Sequence, residues 1–125
     1  MPAPATGGPQ LQVFGLEDSQ PTRAALRFFK ERRMIAHFVD LRRKPMARGE
    51  LRRFVERLGA ARLTDTDGRL WRELGLAYLR MTELELAERL LADQRLLRLP
   101  LVRLGNVFAA GRDETAWKGM VEPPR

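Results

Sequence analysis

Leu11 and Val13 alternate with Gln12 and lead through Phe14 to Gly15, the period-two pattern of a short strand that a glycine closes. Downstream, Ser19 precedes Pro21 and a run whose apolar members are Ala24, Ala25, Leu26, Phe28 and Phe29. A serine able to accept an amide hydrogen bond, a proline tolerated in the first turn and a continuous apolar side predict a helix reaching about Arg33. Ile35 to Leu41 is short and rich in branched and aromatic residues. It predicts a second strand, parallel to the first because a whole helix separates them. After the Lys44-Pro45 break, Leu51, Phe54, Val55 and Leu58 fall at i, i+3, i+4 and i+7, one stripe of a helix that Gly59 is placed to end and for which Met46 to Gly49 offers no good cap.

Thr64-Asp65-Thr66-Asp67-Gly68 is a turn cluster, and Trp71 to Leu74 predicts a short helix before Gly75. Thr82-Glu83-Leu84-Glu85 fits a capping box opening a helix that carries Leu84, Ala87, Leu90 and Leu91. Leu101 to Leu104 and Val107 to Ala110 flank Gly105-Asn106, the spacing of a two-residue hairpin. Asp113 then caps a last helix burying Ala116, Trp117, Met120 and Val121, which Pro123-Pro124 stops. The order β-α-β, helices, β-β-α predicts an α/β fold. Its expected form is a thioredoxin-like four-stranded mixed sheet with helices on both faces and a helical insertion over about residues 46–95. Residues 1–9, with three prolines and two glycines, read as a loose tail, and residues 10–122 as a single domain.

Composition narrows the chemistry. The 125 residues contain no cysteine, which removes disulfides, thiolate metal sites and cysteine nucleophiles. No run approaches a membrane span, and the first residues have neither the charged nor the apolar region of a secretion signal, so a soluble cytoplasmic protein is expected. Lys plus Arg number 23 against 16 Asp plus Glu, a net charge of +7, and only Lys30, Lys44 and Lys118 among the cations are lysines. Many arginines stand beside acids, as in Glu50 to Arg53 and Glu83 to Arg89, the look of a solvated helix face. The charge still leaves room for an acidic partner, protein or nucleic acid.

Several ordered motifs resemble the arsenate reductase and Spx-like family, whose fold is thioredoxin-like with a helical insertion. In that family a strand ending in Tyr-Gly leads to a loop with a Cys, sometimes Cys-x-x-Cys, at the start of the first helix. The matching stretch here is Phe14-Gly15-Leu16-Glu17-Asp18-Ser19-Gln20-Pro21-Thr22-Arg23-Ala24-Ala25, which puts Ser19 and Thr22 at the two cysteine positions. Val39-Asp40-Leu41, Gly49-Glu50-Leu51 and Leu63 to Gly68 are similar to later family segments. Asp93-Gln94-Arg95-Leu96-Leu97-Arg98-Leu99-Pro100-Leu101-Val102 resembles the family's Asp-Pro-x-Leu-Ile-Lys-Arg-Pro-Leu-Val, and Gly111 and Trp117 match near its end. The resemblance implies arsenate reduction with glutathione and glutaredoxin, yet the family's arginine before the proline is Leu99 here and the arginine of the insertion's turn is Asp67.

A reductase of this kind attacks with a thiolate, reachable because a free thiol titrates near about 8.5 and lower at a helix start. Serine keeps the geometry and loses the anion. Its hydroxyl would need a neighbouring base, and the one histidine, His37, sits in the second strand, where a partly buried structural role is expected. No metal site is expected. The candidate binding residues are Ser19, Thr22, Arg23, Arg98 and Pro100: the helix start and Arg23 can attract an anion, and the resemblance implies a cis bond at Leu99-Pro100 facing the helix loop. The expected function is a redox-inactive binding protein with a protein partner, possible roles being in transcriptional or stress regulation. Spx-like members bind the RNA polymerase alpha subunit, so the resemblance implies a partner of that kind. The alternatives are a diverged glutathione-dependent oxidoreductase or transferase using the Ser19 and Thr22 hydroxyls as donors, and nucleic-acid binding through arginines.

Overall fold

The structure is a computed structural model that describes residues 10–121; the tail expected over residues 1–9 and the stop expected at Pro123-Pro124 lie outside them. Four strands, β1 (Leu11–Gly15), β2 (Ala36–Asp40), β3 (Leu101–Leu104) and β4 (Val107–Ala110), form one sheet in the order β2-β1-β3-β4. β1 and β2 are parallel, with Val13 opposite Phe38, while β1–β3 and β3–β4 are antiparallel, with Val13 opposite Val102 and Val102 opposite Ala109. The expected mixed thioredoxin-like sheet is therefore what the chain forms. Gly105 makes the hairpin turn at φ 59°, a left-handed backbone that glycine adopts without a Cβ clash.

Side-chain alternation along the strands sorts the core into two layers. Leu11, Val13, Val102 and Ala109 face the layer that holds Phe28 and Phe29 of α1 (Gln20–Glu31) and Trp117 and Met120 of α6 (Glu114–Val121). Phe14 and Leu101 face the opposite layer. That layer is built by the insertion, through Leu51 and Phe54 of α2 (Arg48–Leu58), Leu63 of α3 (Ala60–Leu63) and Leu90 and Leu91 of α5 (Glu83–Ala92). Phe54 stands edge-on between Phe14 and Phe108, with ring centroids 5.9 and 4.8 Å away, so the insertion is fastened to β1 and β4 by aromatic contact.

Local signals placed most elements. Asp113 caps α6, accepting from Ala116 N at 3.1 Å. Thr82 and Glu85 form the capping box of α5, with bonds of 3.1 and 2.8 Å. α2 starts at Ala47 without a side-chain cap and ends at Gly59, φ 84°. α4 (Arg69–Glu73) ends before Gly75, φ 66°.

Five details differ from the sequence reading. α1 stops at Glu31 because the chain turns left-handed at Arg33, φ 59°. Ile35 is 93% exposed and precedes the strand. His37, expected to be partly buried, is exposed, since β2 lies at the sheet edge. Leu84 is 70% exposed although it has the spacing of Ala87 and Leu91, because it stands at the rim of the α5 face that packs through Ala87, Leu90 and Leu91 and lines a surface groove with Glu85 and Glu88 instead. The helix Ala60–Leu63, and single turns of 3-10 helix at Leu76–Tyr78 and Gln94–Leu96, carry too few residues for a periodic pattern to show them.

Candidate functional site

β1 ends in the buried Gly15, and the loop after it delivers the chain to the start of α1. A Cβ at Gly15 would fall 2.4 Å from Thr22 Oγ1 and 2.7 Å from its Cγ2, so the absent side chain lets α1 sit against the strand end. Ser19, with φ −81° and ψ 121°, caps the helix, its Oγ accepting from Thr22 N at 3.3 Å. That bond uses the oxygen and leaves the hydroxyl proton able to donate.

Beside this helix start lies a groove of about 420 Å³. Ser19 and Pro21 form one wall, Asp65 another, Arg95, Arg98 and Leu99 a third, and Gly111 with Arg112 the last. The segment before β3 reaches it because it is tied to the insertion: Thr64 and Leu97 form a bridge, and Arg98 N donates to Leu63 O at 2.7 Å. A second groove of about 710 Å³ shares Leu16, Arg95 and Leu99 with the first and continues over Leu41, Pro45 and Leu91. Together they make a cleft between α1 and the insertion, lined by leucines and by Arg42, Arg95, Arg98 and Arg112, with Asp65 and Asp93 beside them.

The candidate residues divide. Ser19 and Arg98 share the groove. Arg98 is half-buried, and its guanidinium donates to Thr64 O at 3.2 and 3.3 Å while its Cδ would lie 2.7 Å from a Cβ at Gly111, so it braces the wall. Pro100 is buried after a cis Leu99-Pro100 bond and accepts from Gly111 N at 2.9 Å. Thr22 is fully buried, its hydroxyl 3.5 Å from Leu16 N, and so faces the loop rather than the groove. Arg23 turns away to donate to Glu17 O at 3.2 Å and does not line the groove.

Asp65, Arg95 and Arg112 line the site and were not singled out from sequence. The available signal was position, since Arg95 lies in the Asp93 to Pro100 segment and Arg112 follows Gly111. Arg95 is clamped to Asp93 by two bonds of 2.9 and 2.8 Å. The side-chain bond from Arg95 lowers the Asp93 carboxyl below its usual value, and the same bond raises Arg95. The groove gathers Arg95, Arg98 and Arg112 near the Ser19 hydroxyl, engaged with Asp93, Thr64 O and Glu114 respectively, with the Asp65 side chain among them, and it presents no thiol. Among the described residues no group of three His, Cys, Asp or Glu could hold a metal, and no helix is long and apolar enough to cross a membrane.

The sequence profile of the ArsC family matches residues 14–120, which span β1 to α6 and every wall of the cleft. The chain belongs to the ArsC family. No curated protein matches the sequence. Solved structures share the fold at low identity. The YffB (PA3664) protein superposes with a TM-score of 0.81 at 19% identity, covering 90% of this chain and 100% of its own. Arsenate reductase from Vibrio cholerae gives 0.75 at 15%, covering 90% and 98%. An arsenate reductase (ArsC) related protein from Brucella melitensis gives 0.69 at 15%, covering 90% and 95%. Within this ArsC-family chain Leu99, at the place where the family resemblance calls for arginine, lines both grooves, while Asp67 is exposed and its carbonyl accepts from Arg72 at 2.7 Å.

Proposed function

We propose that this chain is a redox-silent member of the ArsC family that works by binding a protein partner in the cleft at the start of α1. The observation that carries the reading is a cap and an apolar side chain in one groove. Ser19 Oγ holds Thr22 N, and Leu99 stands beside it in a chain without cysteine. A thiolate reductase needs a sulfur anion as well as cationic groups around the oxyanion it attacks; this cleft keeps Arg95, Arg98 and Arg112 but has a capped hydroxyl in place of the thiolate and Leu99 on its wall. Leucines bordered by arginines suit a protein segment that is apolar and carries acidic residues. From the resemblance to Spx-like proteins, the RNA polymerase alpha subunit is the first partner to try, and a role in transcription follows if it binds. The glutathione-dependent alternative asks Ser19 and Thr22 to donate side by side, and the burial of Thr22 works against it.

The test is capture from source-cell extract with wild-type protein and with Arg95→Glu/Arg112→Glu, two exposed groove arginines. Recovery of RNA polymerase alpha by wild type and its loss in the double variant supports the reading. Arsenate turnover with glutathione and glutaredoxin, or saturable glutathione binding by titration, would overturn it.

A further inference from the structure

The second groove, about 710 Å³ in volume, falls within the range of about 300–1,000 Å³ over which small-ligand pockets are found. Its apolar lining comes from four segments: Leu16 of the loop after β1, Leu41 and Pro45 beyond β2, Leu91 and Ala92 at the end of α5, and Leu99 ahead of β3. Leu91 belongs to the core layer built by the insertion, and Leu41 and Leu99 pack against that layer. The groove is therefore where the apolar surface of that layer meets solvent. Two of its walls are bonded to each other, since the Gln94 amide holds Met46 N and O at 2.9 and 2.8 Å and so ties the chain after β2 to the end of α5. A concavity whose walls are joined before anything enters it needs little ordering on binding.

Charge decides what the groove takes. Its polar side chains are Arg42, Asp93, Gln94 and Arg95, and each already has a partner in this chain. Arg42 reaches the Asp18 carboxylate at 3.2 Å, Arg95 grips both oxygens of Asp93 at 2.9 and 2.8 Å, and both ends of the Gln94 amide are engaged by Met46. An anion would have to draw an arginine from its carboxylate, and a cation would have to draw a carboxylate from its arginine. A neutral hydrocarbon surface displaces neither pair and gains the contact of the leucines. We propose that this groove binds a neutral, largely hydrocarbon small molecule, laid on Leu41, Leu91 and Leu99 with the paired charges at its rim. Ser19 does not line it, and the site stands or falls apart from the protein partner proposed above.

The probe is the neutral dye phenylnaphthylamine, which brightens in apolar surroundings, titrated into the whole chain with no partner present. It binds saturably at one site, with an affinity that does not change with salt. Octanol, octanoate and octylamine then compete for that site, three ligands with one hydrocarbon chain and a neutral, a negative and a positive head at neutral pH. Octanol displaces the dye at the lowest concentration. Leu99→Arg puts a cation on the apolar wall and Leu16→Ser removes part of it, and each weakens the dye about tenfold or more. Leu16 lies outside both core layers, so its variant reports on the site even where Leu99→Arg disturbs the fold, which circular dichroism checks. Absence of saturable dye binding, or indifference to both substitutions, overturns the proposal. Displacement by octanoate at an equal or lower concentration than octanol also overturns it, because the arginines would then leave their acids for an anion. A failure of partner capture bears on the proposed function alone, since this titration uses the chain by itself.

Discussion

At Gly15 one methyl group decides whether β1 and α1 can meet. Its would-be Cβ lies 2.4 Å from Thr22 Oγ1, and Thr22 is fully buried with no room to withdraw. Gly15→Ala is expected to cost about 1–3 kcal/mol, the usual range for overpacking. Adding Thr22→Ala should recover part of that loss, which denaturant unfolding of the two single variants and the double variant would measure as coupling. Ser19 permits a different experiment. Ser19→Cys places a thiol at the helix start, where the unpaired amides favour the thiolate, and its alkylation rate should titrate below the ordinary value of about 8.5. Arsenate reduction should stay absent, because Leu99 still stands where the family resemblance calls for arginine. Turnover by this variant would show that the sulfur alone had been missing.

Among the elements, α5 shows how far local spacing reaches. Thr82 and Glu85 are three residues apart, and the capping box they imply is the one that forms. The Thr82 backbone bond, with help from its side chain, lowers the Glu85 carboxyl, and the Arg95 side chain lowers Asp93 at the other end of the helix. A depressed carboxylate favours the folded state above its ordinary pKa, near about 4, and that contribution disappears as pH falls through the lowered value. Acidification should therefore loosen α5. Glu85→Gln and Asp93→Asn should each be less stable than wild type at neutral pH and approach it in acid, as read from hydrogen exchange of the α5 amides. Gln94 belongs to the same element boundary and gave no signal in the sequence. Its amide brackets Met46, accepting from Met46 N at 2.9 Å and donating to Met46 O at 2.8 Å across 48 residues, a pairing that only the folded insertion creates.

For the whole molecule the decisive facts are two core layers and an excess of positive charge. Phe28, Phe29, Phe54 and Trp117 are all buried and serve the core, which leaves Tyr78, 90% exposed, as the aromatic that the described residues present openly to solvent. Among the described residues nine ion pairs, among them Arg103 to Glu50 at 2.7 Å, hold nine arginines against acids, which leaves the net charge at +7 but takes those guanidinium groups out of any basic patch. Duplex DNA should consequently bind only at low salt and without sequence preference. In an anisotropy series the logarithm of affinity should fall linearly with that of salt, by about 0.9 per phosphate contacted. Tight binding at physiological salt would contradict this expectation.

The sequence by itself determined the strands, the longer helices, the hairpin turn, the caps at Ser19, Thr82 and Asp113 and the absence of a thiol, because each depends on residues within a turn or two of one another. Family motifs extended that reach to the thioredoxin-like fold and to Leu99, while the strand order β2-β1-β3-β4 came from the folded sheet. Tertiary structure alone decided that Thr22 is buried against Gly15, that Asp65, Arg95 and Arg112 gather around Ser19, and that His37 and Leu84 face outward. Those outcomes depend on which distant segments pack together and where the packed body ends, and neither is encoded in the periodicity of a single element.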